Sequence, residues 1–258
     1  MRGGVFFWPR AFTLGNYRAI FNDALYRAFT VSVFRTVVGT VSSILVTAMV
    51  AYALSRKELM LRRFFTTVFF IIMIFSAGLI PYYLQVRNLG LMNNYLVFVL
   101  PSLFSVWNMI VMKTSFKRTI PESLIESARI DGSGHAGIFF KIVLPLSIPL
   151  LAALSLFTAV GHWNDWFTGV YYVTDRTKQP LQTYLHYVLN SVEATNVANA
   201  ARMGMTEEQR LSMINPSAIT TTSVKMATIM FTTAPILLIY PFVQRFFVKG
   251  VMIGSIKE

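Results

Sequence analysis

A polar segment between two long apolar runs, over residues 119–142, has the residue types of a docking element. This docking segment contains the run Glu126-Ser127-Ala128-Arg129-Ile130-Asp131-Gly132 and leads into Ile142-Val143-Leu144-Pro145. Charged side chains such as those of Glu126 and Asp131 fix the orientation of a contact with another protein. Small side chains permit a close approach between helices. The chemistry favoured by these residues is therefore recognition of a protein partner.

The start and end of a short helix are marked within the docking segment. Thr119 and Ser123 each precede a glutamate by three residues, which is the spacing of a capping box. Together with a proline suited to the first helical position, this predicts a helix from Pro121 to about Asp131. Gly132 permits the positive φ that ends a helix, and Gly134 precedes a second short turn that leads to Ile142.

The rest of the chain has the composition of a membrane protein. Its 258 residues are 55% hydrophobic and 13% charged, and the mean hydropathy is +0.56. A soluble domain carries about twice that share of charged residues, so the sequence predicts an all-α polytopic membrane protein with one domain over residues 1–258. The net charge of +12 is explained by basic residues in cytoplasmic loops and at lipid headgroups, and no nucleic-acid partner is expected.

Several other kinds of chemistry are not supported. The sequence contains no cysteine, which excludes disulfides, thiolate metal sites and cysteine nucleophiles. His135, His162 and His186 lack the spacing of metal ligands, so no metal site is expected. No phosphate-binding G-x-x-x-x-G-K-[ST] run occurs, so the chain is not expected to hydrolyse nucleotide, and no secretory signal peptide is expected.

Five membrane-spanning helices are predicted from the apolar runs. They cover roughly Ala28 to Leu54, Phe64 to Gln85, Tyr95 to Met112, Pro145 to Trp163, and Val224 to Phe247. Basic residues after spans one and three place both following loops in the cytoplasm, so the amino terminus is outside and the docking segment is cytoplasmic. The segment 164–221 is then extracytoplasmic, with an amphipathic helix predicted over Leu181 to Val192, and Phe12 to Phe21 is expected to lie along the membrane surface.

Glycine and proline are expected to modify three of these spans. Gly78 and Pro81 lie near the far end of span two, and Pro101 is expected to break span three near its start. Pro145 and Pro149 fall in the first turns of span four, where a missing N–H is tolerated or produces a kink.

Span one carries a stripe of small residues that includes one charge. The stripe repeats every four residues and consists of Arg35, Gly39, Ser43, Thr47 and Ala51. Such a stripe lets a neighbouring helix approach closely. Because a charge in the bilayer is costly, Arg35 is expected to be paired with another residue or to face a transport pathway.

Aromatic and amide residues near the predicted outer surface suggest a path for a sugar. The candidates for the substrate path or for contact with a substrate-delivering protein are Tyr82, Tyr83, Trp107, Asn108, Trp163, Asn164, Asp165, Trp166 and Lys225. Aromatic faces stack on sugar rings and amides bind hydroxyl groups. The alternative is that the aromatic residues form the belt at the membrane interface and that Lys225 reaches for headgroups.

The docking segment resembles a known signature. Glu126-Ser127-Ala128, Gly132 and Ile142-x-Leu144-Pro145 match the pattern EAA, three residues, G, nine residues, I-x-LP, with Ser127 in place of alanine. This pattern is the cytoplasmic signature of permease subunits in bacterial ATP-driven (ABC) importers. Further runs, such as Phe7-Trp8-Pro9 and Asn164-Asp165-Trp166, resemble carbohydrate importers of the maltose-permease type, nearest to the LplC-like branch, with the alginate importer as the narrowest assignment.

The resemblance implies a set of partners and a location. It implies a second permease subunit, an ATPase dimer that holds ATP and Mg, an extracytoplasmic solute-binding protein, an oligosaccharide substrate and membrane lipid, in the bacterial cytoplasmic (inner) membrane. No cofactor is implied for this chain. The residues implied in coupling to the ATPase are Glu126, Ser127, Ala128, Asp131, Gly132, Ile142, Leu144 and Pro145. The family usually has six spans, so the first span of the family is expected to be missing here.

Other functional classes remain open at this point. A gradient-driven carrier or a channel requires paired charges or carboxylates in the membrane, and Arg35 is the only mid-membrane charge predicted. A membrane enzyme requires a catalytic cluster at one membrane face, for which Asp165 with His162 is the only nearby pair. A structural scaffold would give no sugar-dependent stimulation of a partner ATPase.

Overall fold

The computed structural model describes residues 21–190 and 225–238, and every regular element in these ranges is helical. The all-α prediction is therefore confirmed. The helices are α1 (Asp23–Ser55), α2 (Arg62–Ile74), α3 (Leu79–Asn88), α4 (Val106–Thr119), α5 (Glu122–Ile130), α6 (His135–Leu146), α7 (Ile148–Asn164), α8 (Phe167–Tyr172), α9 (181–190) and α10 (Lys225–Leu238). The surface segment predicted over Phe12 to Phe21 lies outside these ranges except for Phe21. The predicted end of the amphipathic helix at Val192 and both predicted ends of span five also lie outside them.

Helix α1 is the central helix and has 33 residues. It begins five residues before the predicted start of span one because Asn22 caps it: the Asn22 side chain accepts a hydrogen bond of 2.8 Å from the Leu25 amide. Helices α4 and α7 both pack along α1. The predicted stripe, from Arg35 to Ala51, is buried along its whole length, so the small side chains do provide the packing face.

The contact between α1 and α7 is closest at Gly39. A Cβ atom placed on Gly39 would lie 2.7 Å from Cε1 of His162. His162 is itself buried, so the imidazole ring fills the space that a larger residue at position 39 would need. Gly39 is therefore required for the close approach of these two helices.

Span two, predicted over Phe64 to Gln85, is divided into two helices. The chain forms α2 and α3, which meet at an angle of 115°. Gly78 between them has φ +84, a left-handed conformation that no right-handed helix accommodates. Pro81 falls in the first turn of α3, where its missing N–H leaves no hydrogen bond unmade. Glycine and proline thus separate two helices here instead of deforming one.

Spans three and four also differ from their predicted form. Two 3₁₀ turns, Tyr95–Phe98 and Leu100–Ser102, meet α4 at 46°, which confirms the break near Pro101. Helix α4 extends to Thr119 rather than Met112, because its last basic residues interact favourably with the helix dipole. Span four is replaced by α6 and α7, which meet at 81°.

Pro145 belongs to α6 and explains an irregularity of that helix. A proline inside a helix clashes with the carbonyl group four residues earlier. Helix α6 widens into a π turn over Phe139–Val143, where the Leu144 amide donates to the Phe139 carbonyl group five residues back. The wider turn makes room for the proline ring. The short turn predicted before Ile142 is therefore part of a full helix from His135.

Length and composition indicate between one and four membrane spans in the described ranges. Helix α1 alone meets the requirements, and the count is four if each of the three bent pairs forms one span. Helix α10 is apolar but, over its described residues, shorter than a span. Helix α2 has no buried residue; it contacts the largest cluster through Phe69, and most of its apolar surface is exposed.

The core is divided into three clusters along α1. The largest surrounds the carboxyl-terminal half of α1 and includes residues from α4, α5, α6 and α7. A second cluster joins Val31 to residues of α3, the first 3₁₀ turn and α8. The third joins Leu25 and Ala28 to Trp163, Leu181 and Ala227. Each end of α1 is thus held by a different set of helices.

We expect Gly39→Ala to destabilise the protein by about 1–3 kcal/mol, because the added methyl group overpacks the contact with His162. The melting temperature of the purified protein measures this effect. Gly161→Ala is the matched control, since a Cβ atom on Gly161 has no neighbour within 4 Å and alanine has the higher helix propensity. Equal melting temperatures for Gly39→Ala and the unmodified protein would contradict the packing role.

Candidate functional site

Helix α5 of the docking segment lies with one face on the core and the other face exposed. Ile125 and Ala128 are buried in the largest cluster, together with Phe116 and Ile138. Glu126 and Ser127 are exposed. The expectation that Ala128 faces a partner is therefore corrected: its small side chain brings α5 close to the chain's own core, and Ser127 remains on the outer face.

The end of α5 is a Schellman motif. Gly132 has φ +82, its amide donates to the Arg129 carbonyl group, and the Ser133 amide donates to the Ala128 carbonyl group. The predicted role of Gly132 in ending the helix is confirmed. The predicted start is shifted by one position, because Pro121 precedes the helix with an extended ψ of 138 and no side chain caps the first turn.

Two ion pairs join α5 to the loop that follows α1. The Lys57 Nζ atom donates to Glu122 Oε2 at 2.6 Å, and Arg129 Nη1 donates to Glu58 Oε1 at 2.7 Å. The hydrogen bond from Arg129 lowers the pKa of Glu58, and the hydrogen bond to Glu122 raises the pKa of Lys57. The Glu58 pair is lost as pH falls through the lowered pKa, and the Lys57 pair is lost as pH rises through the raised one.

The residues predicted to anchor the docking segment divide into two groups. Ile142 and Leu144 pack against the largest cluster, where they hold α6 to the core. Pro145 is exposed and acts on the helix backbone rather than through packing. Asp131 and Gly132 are exposed at the turn.

The outer face of the docking segment includes apolar side chains. Ile130 is 87% exposed, Phe140 is 53% exposed and Leu124 is 40% exposed. Exposed apolar groups beside charged residues are typical of surfaces that contact another protein. Helix α5 is thus joined to the loop that follows α1 through ion pairs and to the core through buried residues.

A second site lies near the other end of α1, where Arg35 pairs with Asp165. Arg35 is 3% exposed. Its Nη2 atom donates to Asp165 Oδ2, and its Nη1 atom donates to the Asp165 carbonyl oxygen at 2.8 Å. The prediction that Arg35 is paired is confirmed. The guanidinium group also lies over the Phe98 ring, 4.9 Å from its centroid.

Asp165 lines two cavities. One, of about 570 Å³, lies beside the break between α2 and α3 and is lined by Tyr82, Gln85 and Thr168 among others. The other, of about 370 Å³, lies between α1, α4 and α7 and is lined by Arg35 and Asn108 among others. Of the predicted path residues, Tyr82 therefore lines the first cavity, Asn108 lines the second, and Asp165 lines both.

The remaining path candidates have other positions. Trp163 is buried, and its Nε1–H donates to the Thr232 carbonyl oxygen at 3.0 Å, so this ring holds α10 and does not face a path. Tyr83 stacks on Tyr172, and Trp107 is 65% exposed. None of these three lines either cavity.

Three further path candidates, at the end of α7 and on α10, either contact neighbouring side chains or lie outside the two cavities. Trp166 stacks on His186 with centroids 4.4 Å apart, and Asn164 accepts a hydrogen bond from Gln182. Lys225 is half-buried at the start of α10 and does not line either cavity.

Nothing in the sequence indicated which residues form these three ion pairs. Arg35 and Asp165 are separated by 130 positions, and the loop pairs are separated by 65 and 71 positions. The four-residue stripe was the one signal available, since it placed Arg35 on a face that packs against other helices.

Comparison with known proteins gives a consistent result. The family described as "Binding-protein-dependent transport system inner membrane component" matches residues 11–253. Polygalacturonan/rhamnogalacturonan transport system permease protein YtcP of Bacillus subtilis (strain 168) is 41% identical over 96% of this chain and 83% of its own length. Protein LplC of the same strain is 38% identical over 98% of this chain and 81% of its own length.

A solved structure is also similar. It is a crystal structure of a bacterial ABC transporter involved in the import of the acidic polysaccharide alginate. One of its chains superimposes with a TM-score of 0.80 and 30% identity, over 95% of this chain and 84% of that chain.

We expect reversal of either charge in the Glu58–Arg129 pair to loosen α5, because two like charges then face each other. Glu58→Arg and Arg129→Glu should each speed amide hydrogen exchange in α5 severalfold. The double variant, which exchanges the two charges, should restore the original rate. Equal rates in all four proteins would show that the pair does not hold α5.

A second prediction concerns Asp165→Asn, which leaves the buried Arg35 charge without its counter-charge. Removal of one partner of a buried ion pair costs about 3–5 kcal/mol, so the melting temperature should fall markedly. Arg35→Gln combined with Asp165→Asn removes both charges and should be closer to the unmodified protein. A double variant as unstable as the single one would contradict this account.

Proposed function

This chain belongs to the family of binding-protein-dependent transport system inner membrane components, and we propose that it is the permease subunit of an ATP-driven oligosaccharide importer. The sequence-based prediction of a carbohydrate ABC permease is confirmed by the family match and by the similar permeases. The observation that carries the proposal is the docking segment, which has an exposed face and is joined by two ion pairs to the loop that follows α1.

The proposed mechanism uses α5 as the point where force enters the chain. A partner ATPase dimer, which holds ATP and Mg, contacts the exposed face of α5 from the cytoplasm. Closure of the ATPases then displaces α5 and, through Glu58 and the buried Ile125, shifts α1 and α4. Such a shift drives alternating access only if the ATPases bind one of the two permease states more tightly.

The remaining partners follow from the family. A second permease subunit completes the membrane domain, an extracytoplasmic solute-binding protein delivers the sugar, and membrane lipid surrounds the apolar helices in the cytoplasmic (inner) membrane. In this arrangement the chain itself is not catalytic, since nucleotide hydrolysis resides in the ATPase. The docking segment acts as the cytoplasmic coupling segment, and Glu126, Ser127 and Asp131 supply its polar contacts.

The substrate class rests on the similar proteins. The name of YtcP specifies polygalacturonan and rhamnogalacturonan, and the similar crystal structure is of an importer of alginate. Another similar protein, AraQ of Halalkalibacterium halodurans, is a permease for arabinooligosaccharides. Oligosaccharides derived from polysaccharides are the class that these names share, and alginate as the particular substrate stays a prediction.

We expect a charge on the exposed apolar face of α5 to weaken assembly with the ATPase. Leu124→Glu combined with Ile130→Glu should lower copurification of the ATPase at least tenfold, because both side chains would be desolvated in the contact. Leu89→Glu is the matched control: Leu89 is also an exposed leucine, at 61%, but it follows α3, away from α5. Copurification at the original level in the double variant would refute the docking role.

A further inference from the structure

Most of the residues that line the cavity between α1, α4 and α7 are polar, although the helix bundle is largely apolar. Hydroxyl, amide and imidazole groups line its wall, from Ser43 on α1, Ser105 and Asn108 at the start of α4, and Thr158 and His162 on α7. A cavity with these polar groups does not favour the apolar chains of lipid. Helix packing alone does not require polar groups around a cavity. Groups of this kind suit the hydroxyl groups of a sugar.

Arg35 brings to this cavity more hydrogen-bond donors than its known partner accepts. A guanidinium group has five N–H donors. Two bonds lead to Asp165, and the Nε atom, which is buried, has no partner among the described residues. A buried donor without a partner is costly and calls for an explanation. A further acceptor is the chemical group that Arg35 lacks.

Asp165 has little capacity left to supply that acceptor, because three hydrogen bonds already reach its carboxylate group. The Thr168 amide donates to Oδ1 at 3.1 Å, the Thr168 hydroxyl group donates to Oδ2 at 2.5 Å, and Arg35 donates to Oδ2 as well. The two bonds from Thr168 stay in place when the guanidinium group is shared with a ligand. The pair as a whole therefore has more unused donors than unused acceptors.

The position of Arg35 is fixed before a ligand arrives. Phe98, which is 1% exposed, lies under the guanidinium group, and Val31 and Gly39, one turn away from Arg35 on either side, are buried. A planar, positioned guanidinium group matches a carboxylate better than it matches a hydroxyl group, because it can donate two parallel hydrogen bonds.

We propose that Arg35 binds the carboxylate of a uronate unit, so that this subunit selects oligosaccharides that carry acidic sugars. The proposal rests on the proposed function and adds the substrate class and the residue that recognises it. The hydroxyl groups of the uronate unit contact the polar wall that includes Asn108 and Thr158. Because Asp165 lines both cavities, neighbouring sugar units occupy the cavity beside Tyr82.

The test measures binding to the assembled transporter, purified with its partner subunits in lipid nanodiscs. The probes are radiolabelled trigalacturonate and its fully methyl-esterified form, which has the same length and no charge. We expect the unmodified transporter to bind the acid at least tenfold more tightly than the ester. Arg35→Gln combined with Asp165→Asn should reduce this ratio to near one.

Two further variants make the test specific. Arg27→Gln removes a positive charge from an exposed position of the same helix and should keep the original ratio. Arg35→Lys keeps a counter-charge for Asp165 but loses the planar fork, and should lower the ratio at least threefold even if the double variant fails to assemble.

Three results would overturn the proposal. They are equal binding of acid and ester by the unmodified transporter, an unchanged ratio in the Arg35 variants, and an equal loss of both ligands in those variants. Failure of the proposed function is distinguished separately, because it would appear as an unmodified assembly without oligosaccharide uptake or stimulated ATP hydrolysis.

Discussion

The close packing of α1 against α4 and α7 is the constraint on which the rest of the structure depends. Helices in lipid gain no hydrophobic advantage from association, so they need surfaces that fit closely. The small residues of α1 supply such a surface, and Gly39 allows the His162 ring to lie against the backbone. Both candidate sites follow from this packing. Arg35 reaches Asp165 because α7 lies beside α1, and α5 rests on a cluster that α1 and α4 build together.

One helix therefore links the two sites that we propose for coupling and for ligand binding. Arg35 and Tyr52 lie on α1 about 25 Å apart, at 1.5 Å per residue, and Tyr52 packs against Phe139 of α6. The loop directly after α1 contains Lys57 and Glu58, which hold α5. A displacement of α5 thus acts on the carboxyl-terminal end of α1, and the same continuous helix carries the buried Arg35. No additional element is needed to connect the two.

Sequence reasoning predicted local features well and long-range ones poorly. Gly132 was identified as the end of α5 because only a positive φ closes the helix there, and the stripe on α1 was visible as a four-residue repeat. The residue types at Gly78 and near Pro149 marked the places of two bends but not their angles, because hydropathy records how apolar a segment is and not its direction. The Arg35–Asp165 pair was missed for a different reason: neither residue signals its partner, and the packing of α1 with α7 had to be known first. Ala128 was assigned to the wrong face because its small size suits either side.

The Arg35–Asp165 pair is difficult to explain by stability alone. A buried ion pair can often be replaced by apolar residues without loss of stability, and charges within a membrane are expensive. The rest of the α1 stripe packs through small residues and needs no charge. Asp165 also lines two cavities, and Arg35 keeps a donor that Asp165 does not use. A pair that served packing only would use all its donors and would not need a polar cavity on either side. Its cost is better explained by a ligand that passes this position.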